Sequence, residues 1–201
     1  IEVFLKSYKD QNLKYTGLDP WNLHINEAKK IWKEDKNVKF IKGWVQKIPF
    51  KKNSFDISIC SNVLTHIPSI EDPIKELLRV TRRVVLIRTP IHKISYRIQM
   101  VLNSKWFKYT KVKPKDEFDK KGNPRVYEYF DVHSKDYFES VIKKFDKNVK
   151  VKFIKDNFYN KKNINFKKEV KQKINATRVN SEGEQVTDLL IIPNHFVLIK
   201  K

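Results

Sequence analysis

Apolar positions follow a helical period and a strand period in turn along the first ninety residues. Ile1, Phe4, Leu5 and Tyr8 fall at i, i+3, i+4 and i+7, one face of an amphipathic helix. Lys14–Asp19 (KYTGLD) then reads as a short strand that ends in a carboxylate. Asn22–Lys33 predicts a helix with Ala28, Ile31 and Trp32 facing inward. Val38–Gly43 and Phe55–Ser61 read as a second and a third strand. Asp72 and Pro73 suit a helix start, with Asp as the cap and Pro at the first helical position. Ile74, Leu77 and Leu78 supply that helix with an apolar face. Arg83–Arg88 (RVVLIR) is a fourth strand, closed by Thr89 and Pro90. Strands that alternate with helices predict an α/β fold with a largely parallel sheet covered on both faces.

The second half is less regular. Residues 91–131 carry many aromatic side chains, among them Tyr96, Trp106, Phe107, Tyr109, Phe118, Tyr127, Tyr129 and Phe130. No period fits them well, and the expectation is a short helix followed by a long loop. Ser134 then caps a helix with Tyr137, Phe138, Val141, Ile142 and Phe145 on one side. Val149–Phe158 and His195–Lys200 read as two late strands. A polar insertion of about 35 residues separates them, a length that points to function or disorder.

Composition narrows the classes. A chain of 201 residues fits one domain with a sizeable core. A single cysteine, Cys60, excludes a disulfide framework and any multi-cysteine zinc site. Cys60 lies in an apolar run, which suits a buried structural thiol. No window approaches 18 consecutive apolar residues, so no membrane-spanning helix is expected. With no signal peptide at its start, the chain is expected in the cytoplasm. The net charge of +20 raises the question of a nucleic-acid partner. Abundant Lys, Asn and Ile beside scarce Gly and Ala is also what AT-rich coding gives. The densest run, residues 143–173, has twelve lysines against three acids. A solvated face is the favoured reading there, and an anionic partner the other.

The most specific signal is the order of the motifs. A strand ends in Asp19. A second ends in Gly43-Trp44-Val45-Gln46. Ile48-Pro49-Phe50 and Phe55-Asp56 lead into a third, followed by Asn62-Val63-Leu64-Thr65-His66-Ile67. Glu76-Leu77-Leu78-Arg79-Val80 precedes the fourth strand. As a set this resembles the class I S-adenosylmethionine-dependent methyltransferases, in the small-molecule branch often called type 11. The resemblance covers residues 1–90 closely, and residues 91–201 only in the order of their elements. It implies a Rossmann-like, doubly wound, mostly parallel sheet with an antiparallel last strand. In the family's strand numbers the spatial order is 3-2-gap-4-5-7-6. One domain over residues 1–201 is expected, with a cofactor half at 1–90 and an acceptor cap at 91–131. A helix and strand pair with its insertion follow at 132–201.

The resemblance also assigns roles. Asp19 corresponds to the acid that binds both ribose hydroxyls of S-adenosyl-L-methionine; a cap for the next helix is its other reading. Pro20 and Trp21 follow it and lie near the adenine. Trp44 and Val45 occupy the second adenine position. Trp44 replaces the usual acid there, and either stacks on the ring or fills the core. A backbone N–H at Val45 or Gln46 remains to read the ring. Ser61 and Asn62 face the methionine end and the acceptor. His66 is a candidate general base, or a side chain that braces its loop by a hydrogen bond. No metal is implied. The family's glycine-rich loop and first strand are absent, so the chain is expected to start inside a larger product and to bind the cofactor weakly alone. The implied reaction is methyl transfer to a small or medium-sized acceptor. An RNA-modifying enzyme and a non-catalytic domain that kept the fold are the rivals. No tetrapeptide of the type favoured by amino-directed nucleic-acid methylases follows the third strand.

Overall fold

The structure is a computed structural model that describes residues 13–101, 118–122, 127–156, 178–179, 185–186 and 194–201. The expected Ile1–Tyr8 helix lies outside the described residues, as does most of the insertion between the late strands.

Strand β1 (Tyr15–Asp19) pairs in parallel with β2 (Val38–Lys42), with Asp19 opposite Lys42. Helix α1 (Asn22–Ile31) connects them. Gly17 is required for close approach, because a Cβ there would meet the Phe40 ring at 2.5 Å. The expected inward stripe of α1 needs correction. Ile31 is exposed, and the buried residue is Ile25, with Ala28 and Trp32 half-buried. Residues 25, 28 and 32 follow the 3-4 spacing, so Ala28 and Trp32 lie on the covered face as predicted and Ile25 takes the place of Ile31.

The main sheet has β3 (Phe55–Ser61), β4 (Thr81–His92), β10 (Asn194–Lys200) and β7 (Lys150–Lys155) side by side. β3 is parallel to β4, and β10 runs against both β4 and β7. The predicted order is therefore found: 3-2 in one pair and 4-5-7-6 in the other sheet, with the last strand reversed. No described strand joins β1 to β3, and Ile57 and Ile59 of β3 are exposed. A short pair, β8 (Arg178–Val179) with β9 (Gln185–Val186), stands apart.

Helix α2 (Glu71–Val80) buries Ile74, Leu77 and Leu78 as expected. Asp72 does not cap it. The helix starts two residues earlier, after Ile70, and the Ser69 hydroxyl accepts the Glu71 N–H at 3.3 Å. Pro73 still lies in the first turn, where its missing N–H breaks no helical bond. At the other end the side chain of Lys201 donates to the carbonyls of Leu78 and Thr81, at 2.8 and 2.9 Å. Ser134 caps helix α3 (Lys135–Phe145) by accepting the Tyr137 N–H at 3.2 Å. Phe138, Val141 and Ile142 of α3 are buried, while Tyr137 is exposed.

Two further expectations are overturned. Strand β4 does not close at Thr89-Pro90 but continues to His92. Pro90 is the last residue paired with β10, and beyond it β4 changes partner to β6 (Tyr127–Ser134). A residue without a ladder donor is tolerated at such a switch. Residues 91–131 also do not form a helix and loop where they are described. Strand β5 (Tyr96–Val101) pairs antiparallel with β6, Tyr96 opposite Val132. Trp106, Phe107 and Tyr109 lie outside the described residues.

The segment between β2 and β3 is fixed by α2. The Arg79 guanidinium donates to the Phe50 carbonyl at 2.6 Å and to the Ile48 carbonyl at 2.9 Å. It also bonds both oxygens of Glu76, at 2.6 and 2.7 Å, and Glu76 accepts the Ile48 N–H at 2.8 Å. These contacts hold the Glu76 carboxyl below the usual glutamate range, the Arg79 hydrogen bond being the largest cause. A lowered value means that this stabilisation is full above the ordinary glutamate range and is lost as pH falls through the lowered one.

Two outcomes are expected. Arg79→Ala should lower unfolding stability by about 1–3 kcal/mol, because it strands Glu76 and two partly buried carbonyls. Denaturant titration checks this, and a midpoint equal to the parent's contradicts it. Burial pushes the Cys60 thiol up to about 12. The folded chain should therefore resist thiol alkylation at neutral pH and react only when unfolded, and fast labelling of the native chain contradicts it.

Candidate functional site

Asp19 closes β1 and is tied to β2 through the backbone. Its carbonyl accepts the Gly43 N–H at 3.0 Å. Its side chain folds over the start of α1. Oδ1 accepts the Trp21 N–H at 2.8 Å, and His24 Nδ1 lies 3.2 Å from Oδ1 and 3.3 Å from Oδ2. The side chain remains 36% exposed. Both readings of Asp19 thus have a physical basis: it holds the entry to α1, and it presents an accessible acceptor. His24 was missed in the sequence. A histidine five residues after a strand-ending acid, in the first helical turn, was the available signal.

Pro20 and Trp21 continue from Asp19, and Trp21 is exposed. Trp44 follows Gly43 and is 56% exposed, which removes the core-filling alternative. Trp44 and Lys47 form a β-bridge, closed by the Lys47 N–H donating to the Trp44 carbonyl at 3.0 Å. Val45 packs against the main core, as does Leu18 of β1. A Cβ at Gly43 would meet Leu18 at 2.5 Å, so glycine lets this turn sit close to β1.

Ser61 and Asn62 end β3, and both are exposed. Asn62 has a φ of +56°, in the left-handed region that few side chains adopt. Arg88 holds it there twice. The Arg88 carbonyl accepts the Asn62 N–H at 3.0 Å, and Arg88 Nη1 donates to Asn62 Oδ1 at 2.8 Å. Arg88 also donates through Nε and Nη2 to Asp156 Oδ2, each at 2.8 Å. Asp156 is nearly buried, with 5% of its side chain exposed. Arg88 and Asp156 are 68 positions apart, so their pairing had no local signal in the sequence.

His66 ends a 3-10 turn (Leu64–His66) and is exposed. Its ring meets the Phe130 ring edge-on at 6.4 Å, and it makes no side-chain hydrogen bond to a described residue. The brace expected of His66 is supplied from the β5–β6 hairpin instead. Arg97 donates to both oxygens of buried Asp131, at 2.6 and 2.7 Å, and to the Pro68 carbonyl at 2.8 Å. The same guanidinium lies 4.4 Å from the Tyr129 ring centre. The hairpin is thereby docked on the loop that carries His66.

The backbone brings Asp19 and Gly43-Trp44 together, and Arg88 brings Asn62 to Asp156. No described hydrogen bond joins the two groups. Both lie at the carboxyl ends of parallel strands, where open α/β sheets present ligands. Among the described residues no cluster could hold a metal, and no helix is long and apolar enough to cross a membrane.

Residues 2–87 match the family described as a methyltransferase domain. A demethylmenaquinone methyltransferase of Lactococcus lactis is 34% identical over 95 residues, which is 42% of this chain and 38% of that protein. The chain therefore spans well under half of that relative's length. Among solved structures, an S-adenosylmethionine-dependent methyltransferase from Mesorhizobium loti superposes with a TM-score of 0.59 at 10% identity, over 98% of this chain and 85% of that one. A SAM-dependent methyltransferase from Methanosarcina mazei gives 0.50 at 14% identity, over 92% and 81%. Identities this low speak for the fold alone. With the strand order and the reversed β10, this chain has the fold of the class I S-adenosylmethionine-dependent methyltransferases, and its residues 2–87 match the methyltransferase-domain family.

Proposed function

We propose that the protein transfers a methyl group from S-adenosylmethionine to a small or medium-sized acceptor. The observation that carries this reading is the accessible Asp19 carboxylate at the end of β1, fixed by Trp21 and His24 beside the exposed Trp44 turn. An acceptor-only group with two oxygens fits the two adjacent hydroxyls of a ribose. A flat indole two residues beyond β2 fits a purine face. The residues present therefore suit the cofactor, which supplies a methyl group on a positively charged sulfur.

In this reading Asp19 accepts the ribose hydroxyls, and Pro20 and Val45 flank the base. Trp44 stacks on the ring, and a main-chain N–H at Val45 or Gln46 reads its edge. Ser61 and Asn62 line the methionine end and the acceptor side. The left-handed Asn62 is a strained residue held by Arg88, a pattern found at binding sites. The β5–β6 hairpin with residues 91–131 caps the acceptor. His66, on the loop under that cap, takes a proton from the acceptor where one must leave. A strong base is not essential, because in-line displacement gains much of its rate from placement.

The acceptor is proposed as a small molecule, and the Lactococcus relative's name makes a quinone the first to test. Several lysines already serve the fold: Lys143 donates to the Val149 carbonyl, Lys144 pairs with Glu71 and Lys201 ends α2. That supports a protein whose charge is not chiefly for nucleic acid, and a cytoplasmic location is proposed with it.

Saturation-transfer NMR at millimolar S-adenosylhomocysteine tests the cofactor reading. The parent chain should show transfer to the ribose and adenine protons. Asp19→Ala should weaken binding at least about tenfold, since two charge-assisted hydrogen bonds at roughly 1.5–3 kcal/mol each are lost. Equal transfer in both proteins contradicts the assignment.

A further inference from the structure

The turn that carries Trp44 holds one more group with no assigned partner. Gln46 Oε1 is buried and accepts no hydrogen bond from any described residue. Three other described side-chain atoms share that state: Thr89 Oγ1, Tyr96 OH and His133 Nε2. They belong to β4, β5 and β6. Gln46 alone stands in the turn tied to Asp19 through Gly43. Buried carbonyl oxygens are normally satisfied, and one that is not invites a donor from outside the chain.

The local chemistry says which donor. Residues 43–50 read GWVQKIPF and contain no acid, so no carboxylate in this segment can accept from a base. Trp21 and Trp44 are exposed and offer flat apolar faces. The side-chain amide of Gln46 is the segment's one uncharged group with both an acceptor and donors. A carboxamide matches the edge of adenine in both senses: its oxygen accepts from the exocyclic amine, and its N–H donates to a ring nitrogen. Guanine and hypoxanthine present a carbonyl where adenine has that amine, which sets two acceptors against each other.

We propose that Gln46 is the specificity-determining residue for the base, accepting the amino group of adenine through Oε1 while the indoles hold the ring. The inference rests on the cofactor reading above and extends it: the ribose is read by Asp19 and the base by Gln46.

The test compares S-adenosylhomocysteine with its 6-oxo counterpart, S-inosylhomocysteine, by ligand-observed NMR titration. The parent chain should prefer the amino compound by about tenfold, which is about 1.4 kcal/mol. Gln46→Leu should bring the ratio close to one, mainly by weakening the amino compound. Gln46→Glu keeps an acceptor and should keep the preference. Thermal melts establish that each variant is folded; if Gln46→Leu is not, Gln46→Met replaces it as an unbranched side chain of similar length. A parent chain that does not discriminate overturns the proposal, and so does a folded Leu or Met variant that still discriminates tenfold. Asp19→Ala separates the two layers. It should weaken both compounds alike and leave their ratio unchanged. If neither compound binds the parent, or if Asp19→Ala changes nothing, the cofactor reading fails and this inference falls with it. If Asp19→Ala acts as expected and the Gln46 variants do not, only this inference fails.

Discussion

One guanidinium ties the β1–β2 half of the α/β architecture to the main sheet. Arg79 leaves α2 and reaches back to the carbonyls of Ile48 and Phe50, while Glu76 takes the Ile48 N–H and both oxygens of its carboxylate take Arg79. The Arg79 carbonyl adds a bond from the Asn53 N–H at 2.9 Å. Everything between β2 and β3 passes through this clamp. The β1–β2 pair shares no strand ladder with the main sheet among the described residues, so its position depends on that segment and on Leu18 and Val45 packing into the core. The Trp44 turn lies just before the clamped residues, and Asp19 is tied to it through the Gly43 N–H. Charge-assisted bonds to main-chain carbonyls suit this task, because they fix a loop in register where no apolar contact has direction.

At the other end of the sheet a second arginine does comparable work over a longer reach. Arg88 joins the end of β3 to the end of β7, pairing with the nearly buried Asp156 and holding Asn62 in a left-handed conformation. Removing one member of such a pair leaves a buried charge without its partner, so the arrangement fixes geometry whatever its net contribution to stability. Arg79 fixes the segment that leads into the amino end of β3, and Arg88 places donor and acceptor groups at the carboxyl ends of β3 and β7. The carboxyl edge is where the methyltransferase reading puts a nucleoside and its acceptor. Fold similarity establishes the scaffold, and the chemistry has to be argued from these side chains.

Much of the first ninety residues was legible in advance. The strands ending at Asp19, near Gly43 and at Ser61 were found because short apolar runs between polar turns have few other uses. The motif Glu76 to Arg79 was visible as a pattern, while its role as a clamp on Ile48 and Phe50 was not, since a pattern does not say which carbonyls an arginine reaches. The stripe of α1 was misread at one residue because Ile31 is apolar, yet it sits on the outer side of a helix that covers only two strands. The start of α2 was misjudged because Asp72-Pro73 is a good start signal, while the helix begins after Ile70 with the Ser69 hydroxyl on the Glu71 N–H. Strand β5 was missed because YRIQMV is a weak alternation among aromatics, and its pairing with β6 spans residues with no sequence period in common. In the site, Asp19, Trp44, Ser61 and Asn62 were chosen from motif order. His24, Gln46, Arg88 and Asp156 needed coordinates, because their meaning lies in partners found or not found across the fold.

The central claim is that the carboxyl edge of β1 and β2 holds the nucleoside of S-adenosylmethionine. A crystal structure of the chain grown with S-adenosylhomocysteine tests it most directly. The account predicts ribose hydroxyls on the Asp19 carboxylate, with the purine lying against Trp44. A ribose bound elsewhere on the sheet, with Asp19 still engaged only by Trp21 and His24, would contradict it.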